Sequence, residues 1–140
     1  MTLVERLQAL ATRVATELTG IRRASIVLVI DGGGSAVTTG VKADLEIPFA
    51  CTIERWTLLA DQAGSAVVNV WKDTYSNFPP TVADKITASD PPTLSSAAKA
   101  QSSALTGWTT AVAAGDILRF NVDSVATVTR LTLSLKVRKT

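Results

Sequence analysis

The apolar residues of this chain change their spacing at Arg22 and Arg23. Before that point Leu3, Leu7, Leu10, Val14, Leu18 and Ile21 follow at intervals of four, three, four, four and three. Such spacing lays one apolar stripe along a helix. Beyond it, apolar residues recur at every second position. The clearest case is "VTRLTLSLKV" (128–137), where Leu131, Leu133, Leu135 and Val137 share one face and Thr132, Ser134 and Lys136 the other. Side chains alternate across a strand, so this is a half-buried β-strand. The chain divides into an N-terminal helix, residues 1–22, and a β domain, residues 24–140.

The helix carries its own start signal. Thr2 followed by Glu5 fits a capping box, in which hydroxyl and carboxylate satisfy amides that have no partner at a helix start. Gly20 stands where the helix is expected to stop. A helix of this length spans about 30 Å and is marginal alone in water, so its stripe needs cover. The β domain of the same chain can supply it, or the same helix from neighbouring subunits in a short coiled coil. The narrow stripe and the polar opposite face (Glu5, Gln8, Thr12, Thr16, Thr19) favour the second arrangement. A strict heptad counted from Leu7 and Leu10 puts Glu17 at a core position, and Leu18 replaces it only if the supercoil relaxes.

Behind the helix, "ASIVLVI" (24–30) is β-branched and apolar, and "DGGGS" ends it in a flexible tip or hinge. "ADLEIPF" (43–49) alternates, with Pro48 marking an edge or a bulge. "CTIERWTLLA" (51–60), the turn "DQAGS" and the return "AVVNVW" (66–71) read as a hairpin. "TGWTTAV" (106–112) and "ILRFNVD" (117–123) are extended. Seven or eight strands without intervening helices predict a mainly β fold, an antiparallel β-sandwich of jelly-roll-like type. Between residues 72 and 105 the strand pattern stops, punctuated by Pro79–Pro80 and Pro91–Pro92. Within that stretch "TLSSAAKAQSSA" (93–104) can form one or two helical turns as readily as it stays irregular.

Composition excludes several classes of function. Nearly half the residues are apolar and 19% are charged, which is globular composition with some surface to spare for contacts between chains. A net charge of +2 does not call for a nucleic-acid partner, and the basic C-terminus (Lys136, Arg138, Lys139) reads as a solvated strand end. There is no histidine, hence no usual general base or commonest metal ligand. Cys51 is the only cysteine and sits in an apolar run as a small core residue. The charged first twenty residues do not read as a signal peptide, and no apolar run is long enough for a membrane span. Synthesis in a cytoplasm is the expectation.

The remaining candidates for chemistry are carboxylates and aromatics. Asp44 with Glu46, Asp73 with Asp84, or Asp116 with Asp123 could act as glycosidase-like pairs. Solvent exposure is the favoured explanation of Asp44 and Glu46, because both fall on the polar side of a clean alternation. Asp31, Asp61, Asp116 and Asp123 lie in turn-like segments, where calcium or simple turn roles would use them. No spacing among them matches a known calcium loop, so no metal and no cofactor is expected. "WKDTYSNFPPT" (71–81) gathers Trp71, Tyr75 and Phe78 before two prolines. Together with Trp56 and Trp108 they could stack on a sugar. The alternation places Trp71 outward, where a neighbouring subunit or the folded-back loop covers it.

Several segments in order, "VIDGGG", "IPFACTI", "WTLLADQAGS", "YSNFPPT" and "GDILRFNVDS", resemble a β domain of tailed-bacteriophage minor tail, fibre and spike-type virion proteins and of phage-like particles. The resemblance covers roughly residues 25–138. It implies a non-enzymatic virion structural component, such as a tail or head fibre, a spike or a capsid decoration protein. Its implied state is a homotrimer, assembled in the host cytoplasm and in contact with other capsid or tail proteins. The alternative is a host-glycan adhesin using the Trp71/Tyr75 loop. Leu3, Leu7, Leu10, Val14, Leu18 and Ile21 are then the expected oligomer contacts, and Trp71, Tyr75 and Phe78 the expected glycan or intersubunit contacts. Neither nucleic acid nor membrane is an expected partner.

Overall fold

One helix and seven strands account for the chain in a computed structural model that describes residues 1–140. They are α1 (Leu3–Arg22), β1 (Arg23–Asp31), β2 (Gly40–Ile47), β3 (Cys51–Asp73), β4 (Thr93–Ser102), β5 (Ala111–Val112), β6 (Asp116–Ala126) and β7 (Arg130–Lys139). Every strand pairing is antiparallel. The order is β1-β7-β3-β6-β2, with β4 and β5 also paired to β3. The protein is thus mainly β behind an N-terminal helix, as the periodicities predict. All seven strands belong to one curled antiparallel sheet.

The curl comes from β3. Its first part, Cys51–Ala60, pairs with β7, and its second part, Ser65–Asp73, pairs with β6. β4 follows it across both parts, from Trp56 to Val67. The inward residues of both halves meet in one core that includes Ile53, Leu58, Val68, Val70, Phe120 and the Leu131–Leu133–Leu135 row. Full burial of such side chains is worth about 1.5–3 kcal/mol each, and this holds the halves face to face.

The hairpin expected at "DQAGS" does not form. The strand runs through these residues with an irregular register between Leu59 and Ala66. Two contacts from distant sequence keep it extended. A Cβ on Gly64 would lie 2.6 Å from the Ala126 carbonyl oxygen and 2.6 Å from Val128 Cγ1, so only glycine admits the turn after β6 this closely. Asp61 accepts hydrogen bonds from the Thr129 hydroxyl (2.6 Å), the Thr129 amide (3.0 Å) and the Arg130 amide (2.9 Å). Turn-forming residues are here consumed by long-range partners.

Three further expectations are corrected. "TLSSAAKAQSSA" lies in strand β4 for all but its last residues, because the open edge of β3 offers ladder hydrogen bonds that outweigh a weak local helical tendency. Only Ala111 and Val112 of "TGWTTAV" form a strand. The helix does not stop at Gly20 but runs to Arg22. Arg23 closes it in an extended conformation, donating its amide to the Gly20 carbonyl, and continues directly into β1. The capping box of Thr2 and Glu5 is present in both directions, at 3.2 and 2.6 Å.

The three hydrogen bonds to Asp61 hold its carboxyl at about 2, with the Thr129 hydroxyl contributing most. An unfolded aspartate titrates near 3.9. A depressed carboxyl stabilises the fold above the unfolded value and loses that contribution as pH falls through the folded one. Asp61→Asn should therefore be less stable than the parent at pH 7, with the difference shrinking between pH 4 and pH 2. Urea denaturation at several pH values in that window checks this.

Candidate assembly surface

The helix stands apart from the sheet. None of its residues is buried, and Leu3, Leu7, Leu10, Val14, Leu18 and Ile21 remain 48–73% exposed. The β domain of the same chain therefore does not cover the stripe. Leu7 to Leu18 and Leu10 to Ile21 are each eleven residues apart, close to three helical turns, a spacing that departs from a strict heptad toward a slight right-handed drift. On the opposite side the Thr16 and Thr19 hydroxyls donate to carbonyls one turn back, at 3.0 and 2.8 Å, and present a polar surface. Covering the exposed part of each stripe residue is worth on the order of 1 kcal/mol. An isolated helix of this length has no comparable reserve.

The aromatic loop is built differently from a ligand pocket. It leaves β3 after Asp73, makes short 3-10 turns at Tyr75–Asn77 and Val82–Asp84, and returns with Lys85 opposite Trp71. Asp73 ties its start by accepting from the Thr74 amide (2.7 Å) and Asn77 Nδ2 (3.2 Å). Beyond Lys85 the segment follows the free edge of β3: the Ile86 amide donates to the Val70 carbonyl, and the Val68 amide to the Pro92 carbonyl. The Thr87 hydroxyl donates to Asn69, and Asn69 Nδ2 donates to Asp123, so the outward Asn69 is buried beneath this segment.

Arg119 is the centre of the arrangement. Its guanidinium grips Asp44 with two bonds of 2.6 and 2.8 Å, donates to the Pro80 carbonyl at 3.4 Å, and lies 5.4 Å from the Phe78 ring centre. A planar fork suits these tasks, and a lysine could not combine them. The outward arginine of "ILRFNVD" marks the position in the sequence, but nothing local announces its partners.

These contacts decide several candidates. Trp56 and Trp108 are core residues, and Trp108 Nε1 donates to the Asp90 carbonyl at 2.8 Å, so neither offers a face to a sugar. Trp71 is half-buried with an indole nitrogen shielded from solvent, beside the returning loop. Tyr75 and Phe78 are exposed on the loop. Of the carboxylates, Asp44 is held by Arg119, and Asp116 is buried against Lys72 at 3.1 Å. Asp84 caps Thr81 and Asp123 receives Asn69 and Asn121. Asp116 and Asp123 lie far apart along β6. No three metal-ligating side chains converge. Burial raises the Cys51 thiol above its ordinary range.

No protein-family model matches the chain, and no curated protein matches it. The surfaces that stand out are thus defined by geometry: a bare apolar stripe on α1 and an ordered, aromatic-tipped loop over the β6–β2 half.

Arg119→Ala should release that loop. The expected signs are a loss of about 1–2 kcal/mol in denaturant unfolding and faster amide exchange confined to residues 74–85. Arg119→Lys should restore only part of both.

Proposed function

We propose that this chain is a structural component of a tailed-phage or phage-like particle, a trimeric fibre, spike or capsid-surface protein that associates through α1. The observation that carries the reading is the full-length exposure of the Leu3–Ile21 stripe. A helix with this amphipathic pattern and no intramolecular partner is made to be covered, and identical helices supply a stripe of matching length. Support for the particle assignment comes from the ordered segments of residues 25–138 that resemble phage tail and fibre domains. The work of the molecule, on this reading, is association and surface presentation, with neighbouring capsid or tail proteins as further partners.

Replacing Leu7 and Leu10 together by Ser tests this. Light scattering should show the mass of the assembly falling toward the 14.7 kDa of one chain. An unchanged mass in a folded variant would remove α1 as the association element.

A further inference from the structure

The two outer faces of the curled sheet carry opposite charge at the same end of the domain. Both halves share one core, so their outward residues lie on different sides of the domain. On the β1–β7–β3 face, next to the exit of α1, the register sets Arg23 opposite Arg138 and Arg55 opposite Lys136. Like charges directly opposite on neighbouring strands repel. Glu54 alone relieves them, at 2.9 Å from Arg138 and 3.9 Å from Lys136. Arg23 and Arg55 have no carboxylate partner, and Arg55 Nε is shielded from solvent without an acceptor. Arg23, Arg55 and Lys136 line one surface hollow.

The β6–β2 face is the counterpart. β2 ends at Ile47, and β3 starts at Cys51 opposite Lys139, so Glu46 and Arg138 lie at the same end of the domain. There Asp73, Ile117 and Glu46 form one cross-strand row. Glu46, Asp73 and Asp84 have no cationic partner. Both faces also carry apolar surface. Val27, Val29 and Leu59 stand out on the basic face, and Tyr75, Phe78 and Val82 on the loop above the acidic one, all 45–77% exposed. Val29, Thr132 and Leu59 share one row across three strands.

No linker separates α1 from β1. A parallel bundle of α1 helices therefore holds every β domain at one height, related by rotation about the bundle axis. In a cyclic assembly of three or more copies each contact is heterologous: a face of one copy meets a different face of the next. Two faces of opposite charge at one height fit that requirement, whereas like faces would repel.

We propose that the basic β1–β7–β3 face of one copy docks on the acidic, loop-bearing β6–β2 face of the next and closes the β domains into a ring. This inference rests on association through α1 and adds a second, separable contact. The occupant of each face is another copy of this chain.

The test uses the full chain and sedimentation equilibrium across a dilution series. Arg23→Glu with Arg55→Glu, or Glu46→Arg with Asp73→Arg, should each raise the dissociation constant at least tenfold. Arg23→Glu with Arg138→Glu replaces the first pair if Arg55→Glu does not fold. The chain carrying both reversals should recover to within about threefold of the parent, because the charges are then exchanged across the contact. Reversals without effect, or an effect that the combined chain does not rescue, would overturn the proposal. If the Leu7/Leu10 variant dissociates while the reversals change nothing, the ring contact is wrong and the helix contact stands. If the reversals act and are rescued while the helix variant keeps its mass, the face contact stands and the helix reading fails.

Discussion

An apolar stripe about 30 Å long with no cover inside its own chain is the constraint from which the rest follows. Helix propagation yields little free energy per residue, and most helical stability in proteins comes from packing one face. α1 packs none of its faces against the β domain. Its capping box secures the first turn, and its last turn is fixed where Arg23 enters the sheet, but the length between has only its own hydrogen bonds. On the proposed reading, association with other copies supplies what the fold withholds.

The β domain resolves its own packing within the chain. Strand β3 belongs to both halves of the sheet, so one continuous backbone transmits the curl and one core serves both layers. The long segment after it is not a free loop. Its residues supply backbone hydrogen bonds to the edge of β3, a hydrogen bond from buried Thr87 to buried Asn69, which in turn donates to Asp123, and the anchor through Arg119. Fixing the loop in advance lowers the ordering cost of any contact made by Tyr75 and Phe78. The domain is a preformed body carried on a rod.

Much of this was legible from residue order. The four-and-three spacing of α1, its Thr2–Glu5 start and the alternation of β7 are local patterns, and each matches the structure. The failures have non-local causes. "DQAGS" has turn composition, yet Asp61 and Gly64 serve contacts with residues 126–130 that no window around them contains. Trp56 turns inward because the β3–β7 register shifts between Ile53 and Arg55, which moves every later residue to the other face. β4 is a strand because β3 has an open edge, not because Ser and Ala prefer one. The like-charge pairs of the basic face exist only after Arg23, Arg55, Lys136 and Arg138 are brought into register from three parts of the chain.

The most direct measurement is amide hydrogen exchange along α1 in the assembled protein. Covered by its own copies, the helix should be protected through its middle, around Leu7 to Leu18, to an extent approaching the sheet, and the protection should fade on dilution as the mass falls. Exchange across Leu3–Arg22 at the rate of an unstructured peptide, with β3 and β7 still protected and the protein at its highest concentration, would contradict the account.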